Sequence, residues 1–343
     1  LLVILADDLT GTLDAAAPFA ARGLTVEVAL APAAIPEALA DGPDVLSINV
    51  QSREVGAKAA QAATRAVLAA LPADVVLFKK VDSRLKGHIA AELDMMPFRA
   101  ALVAPAIPAF GRIVKDGKVS GFGVDVPIPV TERLGAHASK ARIPDTVDMD
   151  EMAAHLDDAL AAGVDLLVGA RGLAEALARR MTGDASAHAA EVPAGPGLFV
   201  IGSRDPITLV QIEHLRTRHA PAYVAAPNGL LSPDDRAGTA ALTLVQAVPG
   251  EEEVSSLDVA RHLASGVYPG CVDPSATLIL SGGATAEAVL ERMGIHRFRL
   301  MGECMPGLGV AFANGHCIIA KSGGFGGAET LSEIAGHMLR DRG

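Results

Sequence analysis

Short apolar runs alternate with alanine-rich stretches of helical period along the first half of the chain, and that alternation leaves few folds open. The runs are residues 2–6, 25–30, 45–50, 75–79 and 100–104; the helical stretches are 14–21, 54–71 and 89–95. Strand, helix, strand in succession implies crossover units and a mostly parallel sheet. The pattern returns at 151–162, 166–168, 172–180, 198–201 and 206–219, and again with strands at 242–248, 277–280 and 317–320 and helices at 257–265, 286–293 and 328–339. At 343 residues the chain exceeds a comfortable single core. The expected class is α/β, with two domains, each a mostly parallel sheet flanked by helices. The boundary is expected near residue 220, giving domains 1–220 and 221–343, with the active site in the cleft between them. Between strands, Asp116-Gly117 reads as the turn of a hairpin joining 112–115 to 118–121.

Composition removes several functions. The net charge is -11, which opposes a nonspecific nucleic-acid binder. Aromatic residues are 3%, with no Trp, so a stacking platform for bases is not expected. No apolar run approaches a membrane span, and no signal-peptide pattern opens the sequence. Cys271, Cys304 and Cys317 are far apart and odd in number, suggesting neither a disulfide framework nor a zinc site. A cytoplasmic location is expected, with no nucleic-acid or membrane partner.

The polar residues collect at the carboxyl ends of the proposed strands, where open parallel sheets bind ligands. The first run stops at Asp7-Asp8-Leu9-Thr10-Gly11. Adjacent carboxylates are costly to bury without partners, so they meet solvent, a cation or substrate hydroxyls. A phosphoryl-transfer enzyme needs a group to orient the attacking hydroxyl, and Asp8 suits that task. The third run ends near Asn49, Ser52 and Arg53, and the fourth at Lys79-Lys80-Val81-Asp82-Ser83. Arg53 and Lys79 are read as gripping a small anion, and Asp82 and Ser83 as binding hydroxyls. Lys80, expected to point away from Lys79, is left out of the site.

Glycine loops mark the other half. Ser281-Gly282-Gly283-Ala284-Thr285 and Lys321-Ser322-Gly323-Gly324-Phe325-Gly326-Gly327 each lie between a strand and a helix, and Pro306-Gly307-Leu308-Gly309 permits close backbone approach. Amides at such helix starts receive phosphate oxygens. There is no Gly-x-x-x-x-Gly-Lys-Ser/Thr loop and no Gly-x-Gly-x-x-Gly fingerprint, which weakens a dehydrogenase reading.

With these motifs in view, the chain resembles the four-carbon acid sugar kinase family nearly end to end. Ala6-Asp7-Asp8-Leu9-Thr10-Gly11 resembles its opening motif, and 79–87 its basic aspartate-serine segment. Pro105-Ala106-Ile107-Pro108-Ala109-Phe110-Gly111-Arg112 resembles its proline-glycine-arginine loop. The resemblance implies ATP-dependent phosphorylation of threonate, erythronate or 3-oxo-tetronate. It implies a sugar-acid-binding domain at 1–220 and a nucleotide-binding domain at 221–343. Asp8 and Asp82 are then the catalytic candidates, with Asp7, Arg53, Lys79, Ser83 and Arg112 on the acid. Ser203, Gly282, Gly283, Thr285, Gly307, Gly323 and Gly324 are candidates for the nucleotide. Magnesium is expected as the ATP complex, with no protein metal cage, and a homodimer is the assembly allowed for. Ala284 stands where the family usually has an acid, and Arg204-Asp205-Pro206 where it has a serine-rich stretch. A noncatalytic sugar-acid or nucleotide sensor of the same fold is the alternative.

Overall fold

The computed structural model describes residues 1–232 and 240–340. The chain divides into two compact units, Leu1–His188 and Ala189–Gly343. The first begins with β1 (Leu2–Ala6), α1 (Leu9–Ala20), β2 (Val26–Ala29), α2 (Ile35–Ala40), β3 (Val45–Asn49) and α3 (Ala57–Ala69). It continues through β4 (Val76–Lys80), α4 (Ile89–Leu93), β5 (Ala101–Ala104), β6 (Arg112–Lys115), β7 (Lys118–Gly121) and β8 (Val124–Pro129). It closes with α5 (Val130–Leu134), β9 (Ala141–Arg142), α6 (Met149–Ala161), β10 (Leu166–Gly169) and α7 (Arg171–Thr182).

The main strands of this unit lie in the order β2-β3-β1-β4-β10-β5-β9, all parallel. β1 is buried along its whole length, as an all-apolar central strand of a parallel sheet should be. The chain turns from β1 towards β3 on one side and β4 on the other. Such a reversal opens a crevice at the carboxyl ends of the strands. The hairpin forms as expected: Asp116 and Gly117 both have positive φ, and β6 pairs antiparallel with β7. β8, rich in proline, was not legible as a strand; it joins as a third antiparallel partner.

The second unit contains β11 (Gly197–Ile201), α8 (Pro206–His219), β12 (Ala222–Pro227), β13 (Leu242–Val248) and α9 (Ser256–Val267). Then follow β14 (Thr277–Ser281), α10 (Gly283–Arg292), β15 (Arg297–Met305), β16 (Leu308–Ala313), β17 (His316–Lys321) and α11 (Thr330–Met338). Its strands run β12-β13-β11-β14-β17-β16-β15, parallel from β12 to β17 and antiparallel beyond. Phe199, Ile201, Leu244, Ile279, Val310 and Ile319 share one apolar core with Leu331 and Ile334 of α11.

The boundary expected near residue 220 is displaced. β11 pairs with β13 and β14, so residues 189–220 pack with the second unit. An apolar strand does not declare which sheet will receive it. Likewise α1 begins at Leu9 rather than residue 14, because the Asp8 side chain accepts a hydrogen bond from the Gly11 amide and caps the helix there. Among the described residues no helix is long and apolar enough to cross a membrane.

Candidate functional site

The first unit gathers its charged residues at the ends of β1, β3 and β4. Asp7 follows β1 and is buried; its carbonyl accepts the amides of Ser52 and Arg53, which ties the loop after β3 to the end of β1. The Arg53 guanidinium donates to both Asp7 oxygens, with Nη2 to Oδ1 at 2.7 Å, and its Nη1 lies 3.4 Å from Asp8 Oδ2. Burial pushes the Asp7 carboxyl up. The Arg53 hydrogen bonds, with Lys79 and Lys80 nearby, outweigh burial and hold it below the usual carboxylate range. For Arg53 burial acts downwards, but Asp7, Asp8 and Asp82 together raise it, so it stays a cation. Asp8 is partly exposed, with Thr10 Oγ1 donating to its Oδ2.

Gly87 closes over this pair. Its φ is +91°, and a Cβ there would stand 2.5 Å from Asp7 Oδ2 and 3.4 Å from Arg53 Nε. Only glycine permits that approach. Nothing in the sequence distinguished it from other loop glycines.

The two lysines of β4 exchange the places expected of them. Lys79 is fully buried, its Nζ 3.0 Å from Glu92 Oε2, and Ser52 Oγ donates to the other Glu92 oxygen. Its charge is already met inside the protein, so it is not free to grip a substrate carboxylate. Lys80 points the other way, towards α1, with Nζ 3.6 Å from Asp14 Oδ2; Arg171 holds the second Asp14 oxygen. A Cβ on Gly11 would stand 2.7 Å from Asp8 Oδ1 and 3.3 Å from Lys80 Nζ. Lys80 is therefore the lysine beside Asp8. Alternation along a strand predicts that the two diverge; it does not say which one reaches the site.

Asp82 accepts the amides of Arg84 and Lys86 through Oδ2, shaping the turn after β4. Its charge acts on both Arg53 and Arg112, which links the two arginines electrostatically. Ser83 is buried and its hydroxyl accepts from Arg112 Nη1, while Arg112 Nε and Nη2 donate to the Phe122 carbonyl. These three hydrogen bonds of the guanidinium go to two neutral oxygens. Burial lowers the Arg112 pKa, Arg84 beside it lowers it further, and Asp82 opposes both. Arg112, held by neutral groups and with Arg84 near enough to act on it, makes a local field suited to an anion.

In the second unit, register sets three strand ends side by side. Ile201 of β11 pairs with Ser281 of β14, which pairs with Lys321 of β17. The loops Gly202-Ser203, Gly282-Gly283 and Ser322-Gly323-Gly324 consequently share one edge. Side chains press on the loop backbone there: a Cβ on Gly202 would fall 2.0 Å from Thr285 Oγ1, and one on Gly323 2.2 Å from Ser203 Oγ. Gly282 has φ +104° and caps α10. Thr285 is buried against Gly202. Gly324 differs, since a Cβ there would meet only Asp205 Oδ2 at an ordinary 3.4 Å. Gly307 lies against the last of these loops, next to Leu308, which pairs with Lys321. Its φ is +80° and a Cβ would enter the Phe325 ring, so close packing on that loop requires a glycine here. In the stretch Arg204-Asp205-Pro206, Asp205 accepts from the Ile207 amide and Pro206 is the first residue of α8, a cap and proline that fix the helix start.

Comparison with known proteins follows the same division. The family described as a sugar-binding N-terminal domain matches residues 2–133, and that described as a nucleotide-binding C-terminal domain matches residues 249–331. The chain is 29% identical over 407 residues to a D-threonate kinase of Bordetella bronchiseptica, covering 99% of this chain and 97% of that protein. It is 26% identical to a 3-oxo-tetronate kinase of Methylobacterium radiotolerans, across 94% and 96% of the two chains. A D-erythronate kinase of Heliobacterium modesticaldum is 32% identical over 45% of this chain and 36% of its own length. The fold is shared with a solved structure from Salmonella typhimurium LT2, with a TM-score of 0.74 and 17% identity over 99% of this chain and 98% of that one. A Haemophilus influenzae structure has a TM-score of 0.66 and 19% identity, over 99% and 100%. With both domain descriptions matched in order and these relatives aligned nearly end to end, the chain belongs to the four-carbon acid sugar kinase family.

Proposed function

We propose that this protein is an ATP-dependent kinase that phosphorylates a hydroxyl of a four-carbon sugar acid of the threonate, erythronate or 3-oxo-tetronate class. The observation that carries the reading is the similarity to a D-threonate kinase over 99% of this chain, which spans both the acidic-basic cluster and the glycine loops. In the first unit Arg112 and Arg84 receive the substrate carboxylate, taking the part that Lys79 cannot. Asp82 accepts a hydrogen bond from one hydroxyl, through the oxygen that does not cap the turn. Asp8 orients the reacting hydroxyl and accepts its proton as the oxygen bonds to the γ-phosphorus and ADP departs. Arg53 and Lys80 stand beside Asp8 as positive charge where the transferred phosphoryl group arrives.

In the second unit the loops of Ser203, Gly282-Gly283 and Gly323-Gly324 receive the nucleotide phosphates. The glycines at 202 and 323 fit this use, because they let the Thr285 and Ser203 hydroxyls lie directly against the loop backbone at that edge. Magnesium arrives on the nucleotide as part of that substrate.

A product assay with MgATP and a panel of threonate, erythronate, 3-oxo-tetronate and neutral threitol tests the reading. Phosphorylation of at least one acid is expected. A folded protein that binds the acids yet transfers phosphate to none of them would instead be a sensor, and the kinase reading would fall.

A further inference from the structure

Lys321 closes β17 with its side chain wholly buried, and its partners are unusual for a buried cation. Its Nζ donates to the Ser322 carbonyl at 2.8 Å, the Gly323 carbonyl at 3.2 Å and Thr208 Oγ1 at 3.2 Å. Thr208 Oγ1 in turn donates to the Gly323 carbonyl at 2.7 Å. Three ammonium protons meet three neutral oxygens, and no carboxylate forms an ion pair with it among the described residues. A buried ammonium without a carboxylate in contact is costly. An arrangement that retains one invites a question about what it holds in place.

Peptide planarity gives the answer. In a trans peptide the carbonyl of one residue and the amide of the next point in opposite directions. Drawing the Ser322 and Gly323 carbonyls onto the ammonium turns the Gly323 and Gly324 amides the other way. Among the described residues neither amide has a hydrogen-bond partner. Successive free amides of this kind form a concavity for an anionic oxygen. Ser203 packs against Gly323, and the amide of Asp205 donates to Ser203 Oγ, so the loop after β11 buttresses the same turn.

We propose that Lys321 is the positioning residue of the phosphate loop: its ammonium holds two loop carbonyls inward so that the Gly323 and Gly324 amides face a nucleotide phosphate. The inference rests on the nucleotide reading of the second unit. The lysine does not touch the phosphate; it acts through the backbone.

The charge state of Lys321 then tunes the loop. Burial lowers its pKa to about 8, with Asp205 at the start of α8 opposing. Its strand neighbours on β14 and β16 place Ser281 and Leu308 in register with it, and its α8 contact is Thr208, none of which titrates near neutrality.

Calorimetric titration of the full chain with MgATP, without sugar acid, tests this at about pH 7 and about pH 9.5. Wild-type affinity is expected to fall roughly tenfold as the ammonium loses its proton, because the loop is organised by the charged form. Lys321→Met should bind MgATP at least about tenfold more weakly at the lower pH and lose the pH dependence. Its affinity for sugar acid should stay within about twofold, a split that general loss of structure would not produce. Thr208→Val should show a smaller loss in the same direction and keeps the test open if Lys321→Met does not fold. Wild-type binding that is unchanged across this range, or a folded Lys321→Met that binds MgATP like wild type, overturns the role of Lys321 alone. No MgATP binding by wild type at either pH overturns the nucleotide reading and this inference with it.

Discussion

Asp7 and Asp8 are neighbours with different duties, and the difference can be measured. Asp7 is locked to Arg53 inside the unit. Its folded pKa is depressed, so its contribution to stability is present above the unfolded carboxylate value of about 3.9 and is lost as pH falls through the lower folded value. Asp7→Asn should destabilise by about 1–3 kcal/mol near neutrality and flatten that acid-side loss. Urea melts at several acidic pH values would show it; an unchanged slope would refute the assignment. Asp8 instead caps α1 and stays partly exposed. Asparagine is as good a cap as aspartate, so Asp8→Asn should alter stability by no more than about 0.5 kcal/mol. Turnover should nevertheless be abolished, because the amide cannot take the hydroxyl proton. Wild-type turnover in purified Asp8→Asn would move the proton acceptor elsewhere.

At the scale of single elements, β4 and the loop after β17 carry the clearest tests. Strand alternation sends Lys79 and Lys80 to opposite faces, and Lys79 finds Glu92 on α4. Removing either partner should cost about 3–5 kcal/mol, since the other charge is left buried. Lys79→Met combined with Glu92→Gln should cost well under the sum, which a double-mutant cycle by denaturation reads directly. Additive costs would mean that the pair is not coupled. The loop after β17 separates packing from ligand contact. Gly323 is glycine because Ser203 lies against it, whereas Gly324 has room for a side chain. Gly324→Val should therefore leave the melting temperature nearly unchanged while weakening ATP binding, with acid binding preserved. Calorimetry finding wild-type ATP affinity in the folded variant would remove Gly324 from the nucleotide site.

For the molecule as a whole, a net charge of -11 surrounds a local group of cations. Arg112 and Arg84 should make an acid a better substrate than the corresponding neutral polyol. A lost charge-assisted hydrogen bond is worth roughly 1.5–3 kcal/mol, or roughly 10- to 100-fold in catalytic efficiency. Comparing threonate with threitol at fixed MgATP measures this, and equal efficiency on both would overturn the carboxylate role. The sequence by itself determined the α/β class, most strand and helix positions and the polar strand ends, because hydrophobic period and local turn chemistry are written in neighbouring residues. Asp7, Asp8 and Arg53 were legible for that reason, as were the glycine loops. Tertiary structure alone decided that β11 belongs with β13 and β14, that Lys79 is consumed by Glu92 while Lys80 stands beside Asp8, and that Gly87 roofs the Asp7–Arg53 pair. It also set Gly307 against Phe325 of the loop after β17. Those outcomes depend on which distant strand or side chain arrives, and pairing between remote segments leaves no local periodic trace in the chain.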